Sequence, residues 1–158
     1  MLTPYFKLVC QKKGRAVITQ KFDAIIEILD KLINLTEQDI TDIKAAKHSG
    51  VEQSVKSKNE LIEAFSKAKR EADYALAIAS DNGRNKNLDE ILGSEGLAKL
   101  NEFREKLRTF QAKNKEYAKL VLVVKNYFDG LINAMFGGGD SSYGNNQTNF
   151  DSLFKIKV

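Results

Sequence analysis

A seam in the last third of the chain limits its fold more than anything else in the sequence. Leu100, Phe103, Leu107, Phe110, Asn114, Tyr117, Val121, Val124, Phe128, Leu131 and Met135 follow one another at strict steps of three and four. A strand places alternate residues on one face, so this order suits only a helix, and one sustained for about five heptads packs like a coiled coil. Asn114 is the lone fully polar member of the seam. It stands where a buried asparagine would fix register at a cost in stability, and a solvent-facing asparagine at a gap between partners fits the sequence equally well.

Two further helices precede it. Over residues 21–47, Phe22, Ile26, Leu29, Ile33, Thr36, Ile40 and Ile43 share one face, widened by Ile25, Ile28, Leu32 and Leu35. An apolar face of that breadth has to meet two neighbours, or one neighbour and a client. His48-Ser49-Gly50 reads as the break, with Gly50 able to take a left-handed cap. Over residues 51–80, Val51, Val55, Ile62, Phe65, Ala72, Leu76 and Ala79 repeat in the same way, while Lys58 and Lys69 interrupt the seam. The short connection predicts an antiparallel hairpin. Residues 81–87 read as a loop. Residues 88–92 read as one helical turn ending at Gly93, with Ser94 placed to cap the third helix over about 95–136, although Gly96 weakens its first turn.

The fold class expected is therefore all-α: three long antiparallel helices forming a coiled-coil-like bundle over residues 21–136, with irregular or short β-like segments at both ends. Residues 1–20 fit a short hairpin turning at Gly14, a loose arm, or the start of the first helix. The only proline is Pro4, so nothing after it forbids long helices on that ground. Residues 137–158 open on Gly137-Gly138-Gly139, a composition that ends the helix and builds no core. They close on an apolar stretch in which Phe154, Ile156 and Val158 alternate with lysines, fit for a docking segment or an edge strand.

Chemistry is hard to place on this chain. His48 is the single histidine and Cys10 the single cysteine, so neither a paired-cysteine zinc site nor an internal disulfide can be built. No Glu-x-x-His motif of the bundle metal sites occurs. The glycine run lacks the lysine and hydroxyl residue of a P-loop and comes after a helix instead of a strand. No catalytic residue, metal or cofactor is expected. The net charge of +4 comes from 25 basic and 21 acidic residues interspersed along the helices, which argues for a solvated surface and against a nucleic-acid footprint. Glu37, Asp39 and Asp42, with Lys44 and Lys47, read as part of that solvated surface. The longest apolar runs fall far short of a bilayer span, so no membrane insertion is expected. The opening residues lack the order of charges and apolar residues that a signal peptide needs, and the cytoplasm is the expected compartment.

What stands out is apolar surplus. The first two helices are shorter than the third, so residues from Val121 onward should outrun their cover and leave a stripe for a partner helix. The candidate partner-binding residues are Val121, Val124, Phe128, Leu131 and Met135, with Leu32, Ile33, Leu35 and Ile40 as the facing wall. The alternative is a self-associating coiled-coil structural or adaptor protein, a homodimer through the same stripe.

The segment LDKLINLTEQDI at residues 29–40, running on to Ile43 and Lys44, resembles the first helix of FlgN-type flagellar export chaperones. KNELIEAF at residues 58–65 is similar to their second helix, and the long third helix with Tyr143-Gly144 beyond it is similar to their C-terminal region. The resemblance spans about residues 22–147. It implies a cytoplasmic, all-helical, non-enzymatic chaperone. Its partners would be the hook-filament junction proteins, whose C-terminal helices it holds, and the export apparatus to which it delivers them.

Overall fold

A computed structural model describes residues 3–81 and 87–136 of the chain. They form three helices and, among the described residues, no strand: α1 Pro4–Lys44, α2 Val51–Asp81 and α3 Leu88–Met135. The apolar segment expected at the C-terminal end lies outside the described residues.

Helix α1 overturns the reading of residues 4–20 as an arm or hairpin. It starts at Pro4, whose fixed φ and missing N–H suit a first helical position, and the Phe6 amide bonds back to the Thr3 carbonyl. It runs through Gly14 without a break. The hairpin reading fails because Ile18 and Phe22 are successive core positions of one helix, both buried. That burial outweighs the modest helical penalty of Gly14 and the β-branched Val17, Ile18 and Thr19.

The end of α1 also departs from expectation. The left-handed residue is Ala46, at φ 56°, and not Gly50. The Lys47 amide bonds to the Asp42 carbonyl at 2.8 Å and the Ala46 amide to the Ile43 carbonyl at 3.0 Å. This is the paired closure of a Schellman motif, here with a β-carbon in the position that favours glycine. Gly50 instead opens α2: its carbonyl accepts the Ser54 amide.

Helix α3 begins at the Asn87 cap, whose carbonyl accepts the Glu90 and Ile91 amides. Asp89 and Glu90 lie in its first turn, where the helix dipole favours acids. The regular path breaks at Gly93 (φ 68°, ψ −178°), a conformation open essentially to glycine alone. One turn therefore folds against the start of the long helix. A β-carbon on Gly96 would fall 2.9 Å from that of Leu92, so the same fold-back needs glycine there too. Gly96 is thus a packing requirement of the bend, and its sequence cost as a helix weakener is offset by the burial of Leu92.

The chain divides into two compact units. The first comprises Met1–Leu32 and Leu61–Phe110. Ile18, Phe22 and Leu92 centre its core, with Ala75, Leu76, Ala79, Ile91, Leu97 and Leu100 against them. The Phe103 ring lies between Phe22, at 6.3 Å, and Phe65, at 6.4 Å. Arg15 reaches the Glu90 carbonyl at 2.6 Å and so caps the short turn before Gly93. Asp23 pairs with Lys99 at 2.8 Å, and Asp30 with Lys106 at 2.5 Å. Equal steps of seven on both helices mean that α1 and α3 run parallel here, seven residues being two turns of each.

The second unit comprises Ile33–Glu60 and Gln111–Val158. Glu37 pairs with Lys113 at 3.5 Å and Lys44 with Glu116 at 2.9 Å, so α1 and α3 are again parallel and α2 returns antiparallel after the turn at Ala46. Consecutive helices therefore run antiparallel, and α1 and α3 run parallel. Ile40, Ile43 and Tyr117 centre the core, with Val51, Leu120, Val121 and Val124 packed on them.

Candidate partner-binding surface

The second unit holds a polar cluster inside its core. Asp39 and Lys58 are both buried, with Nζ 2.5 Å from Oδ2, and the Lys58 side chain is 1% exposed. Ser54 Oγ donates to the same carboxylate oxygen at 2.6 Å. The Lys58 ammonium also sits 3.7 Å from the centre of the Tyr117 ring, a desolvated cation–π contact. Burial lowers the Lys58 pKa and Asp39 partly restores it. Burial, and secondarily the Asp39 charge, pushes the Tyr117 phenol up to about 12. Asp39 is therefore an internal residue and not part of the solvated surface that its charged neighbours suggest. Lys58 interrupts the apolar seam of α2 because it supplies the counter-ion.

Above this cluster α3 carries Tyr117, Leu120, Val121 and Val124 into the core, and Val124 is the last of its residues packed there. The helix continues to Met135, roughly 17 Å further at 1.5 Å per residue. Over that length its apolar side chains are left uncovered by the described residues. Phe128 is 49% exposed and Met135 is 74% exposed, with Leu131, Ile132, Tyr127 and Phe136 also exposed. Tyr127 and Phe128 meet edge to face at 5.8 Å. Lys125 and Asp129 pair with each other on the same stretch, leaving it nearly neutral.

Of the residues singled out by sequence, Phe128, Leu131 and Met135 are exposed on this overhang, and Val121 and Val124 are half-buried at its root. Leu35 is half-buried. Ile33 and Ile40 are buried in the second unit, and Leu32 is buried in the first. Asn114 is half-buried. Missed by the heptad reading are Leu122, Val123, Tyr127, Ile132 and Phe136, all exposed. They lie off the seam, and the signal for them is the run of adjacent apolar pairs (Leu122-Val123, Tyr127-Phe128, Leu131-Ile132, Met135-Phe136), which makes the helix apolar around much of its girth.

Among the described residues, no helix is long and apolar enough to cross a membrane. Among the described residues, no group of His, Cys, Asp and Glu is placed to hold a metal ion. Helical throughout its described helices, with a buried ion pair in its core and an exposed apolar helix end, the chain is of the all-α, coiled-coil-like class. The sequence model of the FlgN protein family matches residues 15–149. The chain belongs to the FlgN family, which is a family of chaperones in flagellum biogenesis. No curated protein and no solved structure matches it.

Proposed function

We propose that the chain is a cytoplasmic export chaperone that holds the C-terminal helices of hook-filament junction proteins for delivery to the flagellar export apparatus. The client helix docks along Val121, Val124, Phe128, Leu131 and Met135, with Ile40, in the same core cluster as Val121 and Val124, backing the root of that face. The observation that carries this reading is the continuation of α3 beyond Val124 with large apolar side chains exposed.

The energetics suit a reversible carrier. Burying Phe128, Leu131, Ile132, Met135 and Phe136 against an apolar partner is worth roughly 7–15 kcal/mol at about 1.5–3 kcal/mol each. Association costs on the order of 4–15 kcal/mol, a term of the same size, which suits a reversible contact.

Capture of junction-protein C-terminal peptides by the immobilised chain tests the proposal. Val124→Asp with Phe128→Asp is expected to abolish capture while helix content is kept. Unchanged capture would remove α3 as the docking face. A tight dimer by light scattering that takes up no peptide would favour self-association through the same stripe.

A further inference from the structure

The first unit carries a different surface. From Pro4 to Phe22 the chain holds Lys7, Lys12, Lys13, Arg15 and Lys21 and no acid; the first is Asp23. Arg15 and Lys21 are engaged, by the Glu90 carbonyl and the Glu71 carboxylate. Lys12 and Lys13 are exposed and form no ion pair with a described residue. At 100° per residue, Tyr5, Phe6, Val9, Cys10, Ala16 and Val17 fall within an arc of about 140°. That arc lies opposite Ile18 and Phe22, which enter the core. All six residues are exposed, Tyr5 by 76% and Phe6 by 50%. Lys13 sits near the middle of the arc and Lys12 at its edge.

We propose that this face of α1 lies on the surface of a bilayer containing anionic lipid, independently of the client site. A helix whose exposed face mixes aromatic and aliphatic residues with cations of one sign is suited to the headgroup boundary, on the membrane and not through it. Lys13 decides between a bilayer and an acidic protein. A protein groove shaped to the arc would have to desolvate its ammonium among Val9, Ala16 and Val17. At a bilayer its methylene stem lies along the apolar surface while the ammonium reaches the phosphate layer. Tyr5 and Phe6 supply the shallow apolar anchor, and Lys12 and Lys13 the attraction to anionic headgroups.

The chain contains no tryptophan, so Phe6→Trp places a single fluorescent reporter on the arc without touching the core. The full chain is mixed with vesicles of pure phosphatidylcholine, or of phosphatidylcholine with roughly a third phosphatidylglycerol. A blue shift and co-sedimentation with the anionic vesicles alone are expected, both weakened by high salt. Lys12→Gln with Lys13→Gln should lower the partition coefficient about 25-fold, at roughly fivefold for each charge. Phe128→Asp should leave it unchanged. Circular dichroism checks that helix content persists, and a variant that loses it is replaced by Val9→Ser, which should also weaken the partition. The proposal is overturned by no shift with anionic vesicles, by an equal shift with neutral ones, or by binding indifferent to the lysines. A shift seen on concentrating the protein without lipid, or with an acidic peptide and not with vesicles, overturns it in favour of a second copy or an acidic protein.

Discussion

Lys58 and Asp39 form an ion pair inside the second unit, beneath the Tyr117 ring and joined by the Ser54 hydroxyl. Such a pair is weak evidence for stability, because desolvation of both charges offsets much of their attraction. Its clearest consequence appears when one partner is removed. Lys58→Met leaves the Asp39 carboxylate buried and uncompensated and should cost about 3–5 kcal/mol. Lys58→Met with Asp39→Leu should cost much less than the sum of the two single changes. Denaturant unfolding of the cycle checks this, and additivity within about 0.5 kcal/mol would show that the two residues do not interact.

The Tyr117 phenol has a folded pKa of about 12, above its ordinary value of 10.0. A raised pKa means that the folded state holds the proton more tightly. The associated stability is complete below about pH 10 and is lost as pH rises through about 12, on the order of 2–3 kcal/mol in all. Spectrophotometric titration should show a phenol ionising near pH 12 that Tyr117→Phe removes. The lowered Lys58 pKa acts with the opposite sign. In its window below the ordinary lysine pKa, the unfolded chain binds the extra proton, so stability rises with pH.

Ala46 holds a left-handed conformation at the end of α1, where a side chain costs roughly 1–2 kcal/mol. Ala46→Gly should raise stability by about 0.5–1 kcal/mol after the added freedom of the unfolded chain is subtracted. Unfolding midpoints measure it, and a destabilised variant would contradict the Schellman geometry.

The pairs Asp23–Lys99 and Asp30–Lys106 make the parallel register of α1 and α3 in the first unit testable. Each lysine donates a hydrogen bond to its partner carboxylate, and this raises both lysine pKa values. Asp30→Lys should lower the melting temperature slightly, and adding Lys106→Asp should restore it. Both effects should fade in high salt, because these side chains are partly exposed.

A hydrophobic period reports which face of a helix is apolar and not what covers it. The heptad seam of α3 is legible because only a helix satisfies its spacing. Yet Phe110 and Leu131 occupy equivalent seam positions three heptads apart, one buried and the other 39% exposed. The overhang follows from the register, since α1 ends at Lys44 beside Glu116 while α3 runs on to Met135, and a period in the sequence does not give that register. Asp39 and Lys58 are illegible as a pair, since a charged residue in a helix reads as surface until a partner helix is placed against it. Lys58, breaking an apolar seam, is the visible trace. Residues 4–20 mislead because Gly14 between apolar clusters imitates a turn. Only the packing of Ile18 and Phe22 in a common core shows that the helix runs on. The bend at Gly93 is legible, while the need for Gly96 is not, because it arises from a contact with Leu92 that exists only after the bend forms.

Backbone amide exchange along α3, with and without a junction-protein C-terminal peptide, locates the docking face residue by residue. The exposed end of the helix should exchange readily in the free chain. Binding should slow exchange from Val121 to Met135 above all, and the Val124→Asp, Phe128→Asp variant should show no slowing. Peptide that binds while those amides exchange as before would contradict the claim that the uncovered end of α3 is where the client is held.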